Sequence, residues 1–356
     1  DKFYDPKMQG VDWEYYRKVY EKYLPYINNN FDFAEMLSEM LGELNASHTG
    51  CRYYASGATL STAALGVFLD PSYEGDGLKI KEIIKRGPFA VKKNEVNPGS
   101  IIEKIDGTDI KAGEDYNALL DGKAGKNIRL TIKNAKGKRF DLTIKAISQG
   151  AQQELLYKRW VDRNRAIVDS VSHGRIAYVH VKAMNSESFR TVYSELLSEK
   201  NRTKDAVIVD ERHNGGGWLH DDLCTLLSGK QYQEFVPHGK VVGKDPFNKW
   251  TKPSCVLICE DDYSNGHGFP WVYKELGIGK LIGAPVAGTM TAVWWETLMD
   301  RSLVFGIPQV GCRDMRGTFG ENTTLQPDIE VYNSPEDYIT GHDTQLIRAV
   351  EEMMKK

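Results

Sequence analysis

Three runs in the second half of the chain constrain its fold more than any other feature: Ile176-Ala177-Tyr178-Val179-His180-Val181, Ala206-Val207-Ile208-Val209-Asp210 and Ser254-Cys255-Val256-Leu257-Ile258-Cys259. Each is almost continuously apolar, the pattern of a strand covered on both faces rather than half-exposed. Amphipathic segments separate them, one with Phe189, Val192 and Leu196 at helical spacing and another near residues 219–227. Strand and helix in alternation predict a parallel sheet with helices on both sides. With 41% hydrophobic residues, a 356-residue chain can bury that core and more than one domain.

The rest of the chain has a different texture. Trp13, Tyr16, Val19, Tyr20, Tyr23 and Leu24 share one helical face, as do Phe33, Met36, Leu37, Met40, Leu41 and Leu44. Residues 1–60 therefore read as helical, with Asp32 as N-cap of the second helix and a turn over Glu43 to Gly50. From 64 to 148 short β-like runs are split by turn signals such as Pro98-Gly99, Asp106-Gly107 and Lys136-Gly137. The expected organisation is an α/β multidomain chain: a helical cap over 1–63, a β-rich module over 64–148 and an α/β domain over 149–356.

Lys plus Arg total 46 against 49 Asp plus Glu, a net charge of −3, so no basic excess points to nucleic acid. No apolar run is long enough for a membrane span. Five scattered cysteines form neither a disulfide framework nor a CxxC metal pattern. The chain starts at Asp1 without a methionine or signal peptide, which suggests a trimmed or mature product.

In open α/β sheets ligands gather at the carboxyl ends of strands, so the loops there are the first places to look for chemistry. After the second apolar strand comes Asp210-Glu211-Arg212-His213-Asn214-Gly215-Gly216-Gly217. Three glycines let backbone N–H groups approach an anion, although no Gly-Lys-Ser/Thr follows and nucleotide binding is not indicated. After the third strand, Ser264 stands between Tyr263 and Asn265-Gly266, before a helix-like stretch. A serine at a strand-to-helix turn can expose its hydroxyl; equally, it can simply cap the helix. His48, with Ser47 before it, could be a packing residue at a helix end, and Glu321 a solvated acid in a glycine-rich turn. Asp221-Asp222 beside His220 has no metal-ligand spacing.

Taken together and in order, these windows resemble one family. Gly42-Glu43-Leu44-Asn45-Ala46-Ser47-His48-Thr49-Gly50, the triple-glycine loop, Tyr263-Ser264-Asn265-Gly266 and Glu321-Asn322 followed by Gln326-Pro327-Asp328 look like the tricorn-type serine proteases, relatives of the C-terminal processing peptidases. Asn97-Pro98-Gly99-Ser100-Ile101-Ile102-Glu103-Lys104-Ile105-Asp106-Gly107 is similar to the central hairpin of that family's PDZ domain. The resemblance implies a helical cap, a PDZ-like β module and a parallel-sheet catalytic domain of the ClpP/crotonase-like type. It implies Ser264 as nucleophile, His48 as general base, and Ser47 and Glu321 as the rest of a Ser-His-Ser-Glu tetrad. It also implies oxyanion donors at Asn265 and Gly216, with Gly215 as the alternative, and a carboxylate-binding loop at Leu65, Gly66 and Val67 for a peptide end. No metal or organic cofactor is expected; the partner is a peptide or unfolded protein, and a homo-oligomer is implied because family members form rings. Two departures stand out. The family pattern has Asp where this chain has Asn265, and the Ser–Lys dyad of the processing peptidases would require Lys280, only sixteen positions beyond Ser264. A non-catalytic binding module on the same scaffold is the alternative from another class.

Overall fold

The structure, a computed structural model, describes residues 2–55, 61–90 and 95–355. The chain divides into two compact units, one comprising Asp1–Ser56 and Asn164–Lys356, the other Gly57–Arg163.

The first unit is built on a five-stranded parallel sheet in the order Ile329–Glu330, Lys280–Gly283, Ser254–Ile258, Ala206–Asp210, Ile176–His180. Every residue of the last three strands is buried, as their unbroken apolar runs require. Alternate side chains, Ala177 and Val179, Val207 and Val209, Val256 and Ile258, enter one core with Leu196, Leu223 and Phe269 from the helices Ser186–Leu196, His220–Leu227 and Asn265–Glu275. The helix Thr344–Met354 covers the other face, burying Leu346, Ala349, Val350 and Met353.

The amino-terminal segment departs from the helical expectation. Helices run over Trp13–Glu21 and Asn30–Gly42, but Gly50–Tyr53 is a strand, and residues 56–60 lie outside the described residues. Asn29, not Asp32, is the cap of the second helix: its side chain accepts the Asp32 N–H at 2.9 Å, and Asp32 sits in the first turn. The strand pairs antiparallel with Leu303–Gly311, which pairs in turn with Thr291–Thr297. Ala34, Cys51 and Leu303 form a small core beneath this sheet. The pairing fixes where residues 47–49 must lie relative to the parallel sheet.

The second unit is an antiparallel sheet in the order Val67–Leu69, Leu78–Ile83, Ile101–Ile105, Asn127–Lys133, Arg139–Lys145, with Ile80, Ile102, Leu130 and Ile144 in its core. This is the PDZ-like module. The expected carboxylate loop leads into its first strand, Val67–Leu69. Leu65 is buried in the core, the Gly66 N–H donates to Gln152 Oε1 at 2.9 Å, and Val67 opens a strand paired with Ile83.

Candidate active site

The strand Ser254–Ile258 leads through Cys259–Tyr263 to Ser264, immediately before the helix Asn265–Glu275. Ser264 has φ 58° and ψ −121°, a conformation few non-glycine residues adopt, and its side chain makes no capping hydrogen bond. A serine that merely caps would sit in the extended region with its oxygen on the helix amides. Here the backbone strain, of order 1–3 kcal/mol, is instead held in place by its surroundings. The Ser264 N–H donates to Thr289 Oγ1 at 2.8 Å, and the Tyr263 N–H to the Asn214 carbonyl at 2.9 Å. Buried Asp262 joins the two loops, accepting the Cys259 N–H at 2.8 Å and the Asn214 N–H at 3.1 Å. Burial pushes its carboxyl up.

Glycine is required where those loops cross. A Cβ on Gly216, at φ +94°, would lie 2.6 Å from Ser264 Cβ and 2.9 Å from the Asn265 nitrogen. One on Gly266 would lie 2.5 Å from the Asn214 carbonyl oxygen. The Gly216 N–H, however, donates to Asn214 Oδ1 at 2.9 Å, so the oxyanion donor expected there is already committed. The next residue is the open one. Its neighbours pair with Met184, through Met184 N–H to the Gly216 carbonyl and Trp218 N–H to the Met184 carbonyl, leaving the Gly217 N–H without an acceptor among the described residues, and Gly217 lines a cavity with Ser264 and Asn265. The Asn265 N–H, in the first turn of its helix, has no intrahelical acceptor.

His48 lines the same cavity, of about 380 Å³. Its Nδ1 lies 2.8 Å from Ser47 Oγ and 3.0 Å from Thr291 Oγ1. Ser47 Oγ donates to Glu321 Oε2 at 3.0 Å, and the Ser47 N–H donates to Glu321 Oε1 at 2.5 Å. With the Ser47 hydrogen directed to the carboxylate, its oxygen accepts from His48 Nδ1–H, which leaves the lone pair on Nε2. The His48 N–H donates to Tyr263 Oη at 2.7 Å, and the two rings stand 4.9 Å apart. Burial lowers the His48 pKa and raises that of Glu321. Ser47, His48, Ser264, Asn265 and Glu321 thus converge, whereas Thr289, Thr291, Tyr263 and Asn214 complete the site with no role suggested by sequence.

Other candidates lie elsewhere. Lys280 opens its strand and pairs with Glu352 at 2.6 Å, so it is not poised for a dyad. His267 is buried with both ring nitrogens unpartnered among the described residues, burial pushing its pKa down to about 4, and does not line the cavity. Among the described residues one trio, His213, Cys259 and Asp261, could hold a metal ion. There His213 Nδ1 is 2.9 Å from Asp261 Oδ2, and burial raises the Cys259 thiol away from the thiolate that a metal needs. No helix among the described residues is long and apolar enough to cross a membrane.

Three family models match the chain: peptidase family S41 at residues 175–331, the tricorn protease C1 domain at 1–42 and the tricorn protease PDZ domain at 73–149. A protein of Sulfurisphaera tokodaii named as a tricorn-like protease C-terminal subunit is 29% identical over 97% of this chain and 41% of its own length. The tricorn protease of Thermoplasma acidophilum is 26% identical over 98% of this chain and 33% of its own. The chain therefore spans well under half the length of these relatives. In fold, the crystal structure of the tricorn protease matches with a TM-score of 0.84 over 100% of this chain and 35% of that one, at 24% identity. The three models fall in this order along one chain, which is similar over nearly its whole length to the tricorn-type proteases of peptidase family S41.

Proposed function

We propose that the chain is the catalytic portion of a serine peptidase that hydrolyses peptides or unfolded polypeptides through an acyl-enzyme on Ser264. In this reading residues 1–63 deliver the base, 149–356 the nucleophile and the acid, and 64–148 form the PDZ-like module. A serine hydroxyl is a weak nucleophile until a neighbouring base takes its proton. His48 Nε2 accepts that proton as Oγ attacks the scissile carbonyl, then gives it to the leaving amine; water repeats the sequence to release the acid. Glu321, acting through the Ser47 hydroxyl, orients the ring and stabilises its protonated form. The Asn265 and Gly217 amides face the developing oxyanion, where loss of one donor typically costs about 10²–10³ in kcat.

The observation that carries this reading is that Ser264 and His48 line one cavity, with the far nitrogen of the imidazole already tied through Ser47 to Glu321. The test is fluorophosphonate labelling followed by mass spectrometry. Ser264 is expected to be the modified residue, with labelling and peptide cleavage lost in Ser264→Ala and reduced by about 10⁴ or more in His48→Ala. Modification of a different serine, or cleavage unchanged in both variants, overturns the assignment.

A further inference from the structure

The helix His220–Leu227 begins without a cap of its own. Leu219, at the cap position, has φ −152° and ψ −3° and no side-chain oxygen to accept from the first turn. The acceptor comes from another part of the chain. Asn265 Oδ1 takes the N–H of Leu219 at 2.8 Å and that of His220 at 3.1 Å, across 46 and 45 positions. Backbone N–H groups can only donate, so these two bonds decide which end of the amide is oxygen. Nδ2 is then the donor to His220 Nδ1, 2.8 Å away, which puts the hydrogen of that ring on Nε2. The side chain is buried, and Gly268 leaves room for it: a Cβ there would stand 2.9 Å from Nδ2.

Both proposed oxyanion donors depend on where this amide sits. One is the N–H of Asn265 itself. The other belongs to Gly217, two residues before Leu219. The glycine loop is held from one side by Met184, which pairs with Gly216 and Trp218 and whose carbonyl oxygen a Cβ on Gly217 would strike. From the far side, the two bonds to Asn265 Oδ1 join it to the Ser264 turn. Releasing them would let one donor drift from the other, and a misplacement of about 1 Å can cost roughly a hundredfold in rate. A carboxylate at 265 would accept the same two N–H groups, but it would lose the donor to His220 and add a negative charge beside the developing oxyanion. The amide holds the loop without that charge.

We propose that the Asn265 side chain is a positioning group for catalysis: it ties the start of the helix His220–Leu227 to the nucleophile turn and so fixes the separation of the Asn265 and Gly217 amides. This role rests on Ser264 being the nucleophile. A side chain that only stabilised the helix would affect ground state and transition state alike, whereas one that sets the two donors acts only when an oxyanion forms.

Three probes of one sequence separate these cases: a tetrapeptide aminocoumarin amide, the matching peptide aldehyde and the matching alcohol, with active enzyme counted by fluorophosphonate titration of Ser264. The aldehyde carbon bonds to Ser264 Oγ while His48 takes the hydroxyl proton, which places an oxyanion between the two amides; the alcohol cannot do so. Asn265→Ala should lower kcat about a hundredfold with KM within about threefold, and weaken aldehyde binding by a similar factor while the alcohol binds as before. Asn265→Asp, which keeps the accepting oxygen, should recover to within about tenfold of the unmodified protein. A kcat within about threefold in Asn265→Ala, equal losses for aldehyde and alcohol, or an Asn265→Asp protein as slow as Asn265→Ala overturns the positioning role and leaves the peptidase reading standing. If Asn265→Ala does not fold, Asn265→Ser decides by the same criteria, because its hydroxyl is too short to reach both N–H groups. If Ser264 of the unmodified protein is not acylated at all, both readings fall.

Discussion

His48 and Glu321 are shifted in opposite directions by one cause. Burial disfavours the charged form of each, lowering the imidazole from its usual 6.5 and raising the carboxyl from its usual 4.5. Catalysis by the proposed tetrad needs the imidazole neutral and the carboxylate ionised. Activity is therefore present above both folded values and lost as pH falls through them. Because both groups must be deprotonated, kcat/KM should fall with decreasing pH below about 6.5 with a slope steeper than one proton, and Glu321→Gln should reduce the slope to one. A single-proton limb centred above 6.5 in the unmodified protein contradicts this. Thr291 supplies a second check. Its hydroxyl lies within hydrogen-bonding distance of both His48 Nδ1 and Ser47 Oγ, at 3.0 and 2.9 Å. Thr291→Val keeps the shape and removes the oxygen, and should lower kcat by about ten- to a hundredfold with little change in KM. Ser47, His48, Ser264 and Glu321 were legible in the sequence because their residue types and order match a known pattern. Thr291, Thr289 and Asn214 were not, since hydroxyls and amides are everywhere and only the coordinates of their strands and loops single them out.

The crossing of the glycine loop over the Ser264 turn sets the tolerance of the site to change. Gly216→Ala would drive a methyl into Ser264 Cβ and the Asn265 nitrogen while forcing a side chain onto φ +94°. It should reduce acylation by more than about a hundredfold and destabilise the unit by about 1–3 kcal/mol, measured by labelling rate and urea unfolding. The parallel strands could be read from sequence because double-sided burial leaves an unbroken apolar run. The three-stranded sheet that carries Thr291 could not. Leu303–Gly311 contains Gly306 and Pro308, residues that argue against a strand, and Thr291–Thr297 exposes Trp294 instead of alternating cleanly. The helix cap at Asn29 was misread for a simpler reason: Asn29 and Asp32 are both good caps, and the difference of three residues follows from packing rather than from cap chemistry.

Across the whole first unit, one buried cation connects distant parts of the chain. Arg212, 2% exposed, donates to Asp210 at 2.7 Å and to Asp343 and Gln345 at 2.9 and 3.0 Å, while Asp343 accepts the N–H of Leu346 in the carboxyl-terminal helix. Arg212→Met would strand Asp210 and Asp343 without their partner, and should cost about 3–5 kcal/mol in equilibrium denaturation. A loss below about 1 kcal/mol would show that the helix is held by its apolar face alone. This network had no sequence signature, because its members are 131 positions apart. The bond from Ser47 to Glu321 reaches farther still, across 274 positions. During synthesis His48 leaves the ribosome long before Ser264, and Glu321 follows later still. In the proposed mechanism the tetrad cannot assemble until Glu321 has emerged, so a product truncated before that residue should be inactive.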